Sequence, residues 1–310
     1  MSMTAVTSVK NVTRKDYERR LQRVLAYIRQ NLDQDLDLPQ LANISNFSPY
    51  HFHRIFRGMV GESLAVHVKR LRLERAASDL LYSQQSVTEA AFDAGFETLE
   101  SFSRAFKKTF GVTPSRYRQE SGFCLPDTAP RGLWTTAMNF QFDRLWDDKD
   151  RPVKLNVQIE THDKMHIAYV QHQGAYEDME PVFDKLFELA EKANILHEET
   201  EIVMVSHDDP NITESKYLRA DAGVVIPDMS CDVGEMKKQS IAEGQFAVAH
   251  FTGAYDNLSV AYDWIYGGWM PDSGHEAADQ PAIELYHNDP LDVNEDELLT
   301  EIRIPLVARS

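Results

Sequence analysis

Two stretches of this chain repeat the same residues at nearly the same spacing, about fifty residues apart. The first is Ala42, Phe47, Phe52, Arg54, Phe56, Arg57, Gly61, and the second is Ala91, Phe96, Phe102, Arg104, Phe106, Lys107, Gly111. Each reads as a short helix, a tight turn and a second helix with one apolar face and one basic, hydroxyl-rich face. That is the pattern of a helix-turn-helix, present twice. Between the copies, residues 62–82 contain no Gly or Pro. At 1.5 Å per residue, a helix of about twenty residues spans ~30 Å. This is close to the ~34 Å between successive major-groove faces on one side of a duplex. The pair is therefore expected to act as one bipartite DNA clamp.

Charge supports a divided chain. The net charge of −17 over 310 residues argues against nucleic acid if read globally. Residues 1–124, however, hold 18 Lys/Arg against 13 Asp/Glu (net +5), while residues 125–310 hold 14 against 36 (net −22). Such segregation fits a nucleic-acid module joined to an acidic partner domain. No apolar run approaches a membrane span, and the N-terminal residues lack a signal-peptide h-region, so no membrane partner is expected. Cys124 and Cys231 are the only cysteines, which makes no disulfide framework and fits a reducing cytoplasm.

Residues 14–32 are expected to form a first helix with Thr13 as its cap, followed by a short helix after Asp37. Asn46–Phe47 and Gly95 make the turns, Ser48 and Thr98 cap the second helices, and Gly111 ends the last one. Residues 121–152 read as a linker punctuated by prolines. From 153 the texture becomes strand, helix, strand, strand, and then repeats. Gly174 and Tyr176 match Gly253 and Tyr255, and His207, Asp209 and Pro210 match His287, Asp289 and Pro290. Two such units should pack as one α+β domain with a groove at their junction. The expected fold is thus multidomain: an all-α double helix-turn-helix, then a duplicated β-α-β-β domain.

The polar face of the first reading helix offers Ser48, Tyr50, His53, Arg54 and Arg57. The second offers Glu100, Ser101, Arg104, Lys107 and Lys108. Residues 21–118 resemble the DNA-binding domain of the AraC family of transcription regulators. The resemblance rests on Ala91, Gly95–Phe96, Ser101 to Lys107, Phe110 to Pro114 and Tyr117–Arg118. It implies two helix-turn-helix subdomains, each inserting a helix in the major groove, over a domain of residues 14–120. Tyr50, His53 and Arg54 would then read one half-site, and Leu99, Glu100, Ser101 and Arg104 the other. Some relatives carry amides at the positions of Leu99 and Glu100. Glu100 could accept from cytosine N4 or serve as a solvated helix-start acid. Double-stranded DNA is the implied macromolecular partner, with RNA polymerase as a further one.

In the downstream repeat, Met204 corresponds to Glu284 and Ser206 to Tyr286. Strand alternation puts Glu284 and Tyr286 on one face and Ile283 and Leu285 on the other. A carboxylate in a central strand is costly unless paired. Tyr255, Trp264 and Trp269 are candidate apolar walls, which would suit a cationic, partly apolar ligand. From periodicity alone, solvent exposure of Glu284 is the equal alternative. Residues 153–308 resemble the gyrase-inhibitor-like effector-binding domain, whose Glu-x-Tyr strand, here Glu284-Leu285-Tyr286, implies a small-molecule effector in the central cleft. Hydrolysis of a small compound by Glu284 and Tyr286, or sequestration of a protein, are the other functions such a domain suggests. No nucleophile motif, phosphate loop or metal-ligand spacing stands out, so neither enzyme activity nor a cofactor nor a metal is expected.

Overall fold

The first helix, α1 (Met3–Gln30), starts ahead of Thr13, so Thr13 lies inside it rather than capping it. The chain is described by a computed structural model covering residues 3–119, 155–210 and 213–308. The linker expected at 121–152 lies outside the described residues, as does Cys124. Tyr17, Leu21, Val24 and Ile28 recur every three or four residues along α1 and are fully buried. In α2 (Leu38–Ser45), Asp37 caps by accepting from the Gln40 N–H at 2.7 Å, and Pro39 occupies the first turn. Asn46 ends it in the left-handed conformation, at φ 56°. Next come α3 (Pro49–Val60) and α4 (Leu64–Tyr82), the latter capped by Ser63. With 19 residues, α4 is the expected spacer, about 28 Å long.

The second unit repeats this design. Ser86 and Glu89 close a capping box on α5 (Val87–Asp93). Gly95, at φ 77°, takes the left-handed position that Asn46 holds in the first copy. Thr98 caps α6 (Leu99–Phe110), Gly111 ends it, and α7 (Pro114–Gln119) follows. Phe102, Phe106, Phe110 and Tyr117 pack with Leu73 and Leu80 into a core belonging to this unit alone.

The C-terminal part contains β1 (Val157–His162), β2 (Met165–Gln173), α8 (Glu180–Lys192), β3 (Ile202–Ser206) and β4 (Arg219–Ile226). It continues with β5 (Lys237–Ile241), β6 (Gly244–Thr252), α9 (Leu258–Trp264), α10 (Met270–Ser273), β7 (Ala282–Tyr286) and β8 (Leu299–Pro305). A π-helical turn, Ile265–Trp269, joins α9 to α10. The strands form one antiparallel sheet in the order β1-β6-β8-β7-β3-β4-β2-β5. Only two residues join β1 to β2, although the two strands stand near opposite ends of that order. The sheet must therefore curl until its ends meet. The first strand of each half pairs with the long strand of the other, β1 with β6 and β5 with β2, which interlocks the halves. Strand β5 was not among the expected strands, because its Lys-Lys-Gln-Ser-Ile sequence is that of a polar edge.

The repeats meet at the β3–β7 pair, where Met204 lies directly opposite Glu284. Val203, Val205, Ile283 and Leu285 point into the curl with Ile167, Phe246 and Val248. Met204 faces outward, toward α8. On the second half, Ala247, Ala249, Ile302 and Ile304 lie under α9 and the π turn. The first helical unit joins that same core: Tyr17, Leu21, Phe52 and Phe56 run continuously into Ile265, Tyr266 and Met270.

Candidate functional site

The two reading helices share one design but not one environment. On α6 the polar face is open: Glu100 and Arg104 are 81% and 75% exposed, 3.8 Å apart as an i,i+4 pair. Leu99, Lys107 and Lys108 are also exposed, and Ser101 is half-buried. All six residues expected to contact DNA from this copy, Leu99, Glu100, Ser101, Arg104, Lys107 and Lys108, stand on one accessible surface. On α3 the corresponding face packs against the acidic C-terminal domain: His53 is buried, Ser48, Arg54 and Arg57 are half-buried, and these four residues expected to contact DNA make contacts within the chain. The side chain of Tyr50 lies outside the described residues.

Two glycines make this contact close. Gly58 sits inside α3, and its backbone meets that of Gly267 in the π turn. A Cβ built on Gly267 would lie 2.0 Å from the Gly58 carbonyl oxygen. Only hydrogen side chains let the two backbones approach so nearly. Polar pairs ring the crossing. Arg57 reaches Asp263 at 3.1 Å, Arg20 reaches Glu276 at 2.7 Å, and Arg14 makes a two-pronged bridge to Asp272 at 2.5 and 2.8 Å. Ser48 donates to Asp279. His51 Nε2–H donates to the Ala278 carbonyl, and its Nδ1 accepts from the Tyr266 hydroxyl at 2.8 Å. Burial pushes the His51 pKa down to about 4. The Leu64 N–H points at His53 Nε2, which leaves Nδ1–H to donate to Asp209 at 3.0 Å.

Arg54 goes deepest. Its guanidinium carbon lies 4.1 Å from the centre of the Tyr262 ring and 5.8 Å from that of Tyr266, and Nε is 3.9 Å from Asp209. Burial opposes its charge, but Tyr262, Asp209 and Tyr266 outweigh burial and hold it protonated.

Beside Arg54 lies the carboxylate of the central strand. Glu284 is 3% exposed, which settles in favour of burial the choice periodicity left open. Tyr262 donates to Oε1 at 2.7 Å and Tyr286 to Oε2 at 2.9 Å. The Tyr286 hydroxyl also stands 3.6 Å from the Met204 sulfur. Tyr255 and Phe183 pack on the Tyr286 ring at 5.2 and 5.8 Å. Burial pushes the Glu284 pKa up, against the two phenol hydrogen bonds and the nearby Arg54 charge. Burial and the Glu284 charge push both phenols well above their usual range. Ser206, diagonal to Glu284 across the β3–β7 pair, has a buried hydroxyl that acts with the phenols to lower the pKa of that carboxyl. Chemically, this is a desolvated anion among aromatic rings, suited to a cation with apolar surface.

Met204, Tyr255, Glu284 and Tyr286 thus come together as expected, whereas Trp264 and Trp269 do not join them. Trp264 donates to the Leu155 carbonyl, and Trp269 packs in the helical core. Tyr262 takes the wall position assigned to the tryptophans. It lies two residues before Trp264, and helical rotation turns the tryptophan away. Asp209, Tyr262 and the two glycines were missed. A signal for one existed: Gly58 stands where the second copy has Lys108, in mid-helix with no turn to explain it. Among the described residues, His250, His287 and Glu301 bring three ligand atoms within 4.8 Å of one another. Arg303, however, holds one Glu301 oxygen at 2.5 Å, and its positive charge opposes a metal ion there. Among the described residues, no helix is long and apolar enough to cross a membrane.

Comparison with known proteins gives two matches along the chain. Residues 155–307 match the GyrI-like small molecule binding domain, and residues 41–120 match a helix-turn-helix domain. The transposon Tn10 TetD protein of Escherichia coli is 38% identical over 96 residues, 31% of this chain and 70% of TetD. The regulatory protein SoxS of Escherichia coli K12 is 30% identical over 102 residues, 33% of this chain and 95% of SoxS. YbfP of Bacillus subtilis 168, an uncharacterised HTH-type transcriptional regulator, is 37% identical over 102 residues. That match spans 33% of this chain and only 35% of YbfP.

Proposed function

The chain belongs to the AraC-type helix-turn-helix transcription regulators, and on that premise we propose that it controls promoter activity in response to a small organic cation held by its GyrI-like domain. The observation that carries the reading is Glu284, buried at the junction of the two repeats and clamped by Tyr262 and Tyr286. A buried carboxylate costs several kcal/mol unless something compensates it, which favours a cationic occupant. The exposed α6 face supports DNA contact by the second unit, with Ser101 and Arg104 toward base edges and Lys107 and Lys108 toward phosphates. The α3 face supplies the first half-site contacts once it is free, and the bound protein acts with RNA polymerase.

Both Glu284 oxygens accept from phenols, which favours a binding carboxylate over a hydrolytic base. The test uses full-length protein and duplexes recovered from genomic fragments. Arg104→Ala should weaken binding of the recovered sites by about 1–3 kcal/mol relative to unrelated duplexes. Equal affinity of wild type and variant for every duplex would refute the reading.

A further inference from the structure

We propose that Arg54 is the resident occupant of the effector cleft, so that an incoming organic cation and the first DNA-reading helix compete for one aromatic, anionic site. This inference rests on the cationic-effector reading above and adds which part of the chain the effector must displace.

Three independent features place Arg54 there. The guanidinium stacks on Tyr262, the residue whose hydroxyl donates to Glu284. One ring thus carries a cation on its face and the buried carboxylate at its tip. The Arg54 side chain is only 12% exposed, although it belongs to a helix face whose counterpart residue, Arg104, has a side chain 75% exposed. The approach is also built in at the backbone level. Gly58, one turn further along α3, crosses Gly267, one turn beyond Tyr262, with no room for a single Cβ. Deep seating of Arg54 follows from that crossing.

The acidic excess of the C-terminal domain then gains a local meaning. Asp209, Asp263 and Asp272 meet His53, Arg57 and Arg14 as phosphates would meet them on a duplex. While α3 is seated, its reading face is spent on the protein's own second domain. A planar, delocalised cation of arylamidinium or guanidinium type offers Tyr262 and Glu284 what Arg54 offers, and it carries additional apolar surface. The ligand and the undocked α3 therefore stabilise each other, and by linkage the ligand raises DNA affinity by the factor by which DNA raises ligand affinity.

The test is calorimetric titration of the full chain with benzamidine, a planar arylamidinium, against its neutral isostere benzamide. Wild type should bind benzamidine measurably, Arg54→Ala should bind it about tenfold or more tightly, and Glu284→Gln should lose it in either background, with no benzamide binding. Gly267→Ala, which unseats α3 without altering any charge, should tighten benzamidine binding in the same direction and guards against a fold defect in Arg54→Ala. If both variants bind benzamidine no more tightly than wild type while Glu284→Gln still loses it, the competition is wrong and the cationic cleft stands. If benzamidine fails to bind Arg54→Ala and Gly267→Ala alike, the cleft reading and the competition both fall.

Discussion

Gly267→Ala is the sharpest perturbation available, because one methyl group acts on one contact. Its Cβ would stand 2.0 Å from the Gly58 oxygen, 2.3 Å from its carbonyl carbon and 2.6 Å from its Cα. Non-bonded carbons settle at about 3.5 Å, so α3 must withdraw by roughly 1 Å or more. All three nearest atoms belong to Gly58, so undocking of α3 relieves the closest contacts. Overpacking of this kind costs about 1–3 kcal/mol, a factor of about 5 to 160 in the seated-to-free equilibrium of α3. The withdrawal also lengthens the Arg54–Tyr262 stack and the His51–Tyr266 hydrogen bond. Fluorescence anisotropy of full-length protein on a recovered duplex should then show tighter binding, by up to that factor, without added cation. Unchanged or weaker binding, with circular dichroism showing both domains folded, would refute the claim that the seated α3 is withheld from DNA.

Other outcomes follow from the same geometry. His51 is neutral when seated and its pKa lies near 4, against 6.5 when free, so seating is fully stable above about pH 6.5 and weakens as pH falls toward 4. The loss reaches on the order of 3 kcal/mol at the acid end, and the wild-type pH profile minus that of His51→Gln should isolate it. Because burial raises the Glu284 pKa, cation binding should release a proton at pH values where that carboxyl is still protonated, and affinity should rise with pH until it is ionised. Titrations in buffers of different ionisation enthalpy check the proton release, and Glu284→Gln should abolish it. Removing one clamp with Tyr286→Phe leaves a Glu284 oxygen without its phenol and should cost about 1–3 kcal/mol in thermal stability or cation affinity. Phe106→Ala, in the closed core of the second unit, should cost about 3–5 kcal/mol of that unit's stability in chemical denaturation.

The helical unit was legible because its signals are local. Asp37 and Thr98 cap where a side-chain oxygen precedes an apolar period, and Asn46, Gly95 and Gly111 turn where left-handed backbone is needed. The Thr13 cap failed because α1 continues upstream through residues that carry no stop signal. In the sheet, alternation separated Glu284 from Ile283 and Leu285 correctly, since a period of two needs no partner to define it. Edge strand β5 escaped because an edge with polar residues has no apolar alternation to read.

By itself the sequence determined two duplications, their basic and acidic halves, and the correspondence of Glu284 in one repeat to Met204 in the other. Periodicity and capping decide such features within a few residues of chain. Tertiary structure alone decided that Glu284 is buried rather than wet, that Tyr262 and not Trp264 supports it, and that Arg54 sits against that tyrosine instead of facing solvent. These outcomes depend on which surfaces meet across more than two hundred residues. A basic helix face reads identically whether its counter-charge is a phosphate or Asp209, and only the packing of Gly58 on Gly267 distinguishes the two.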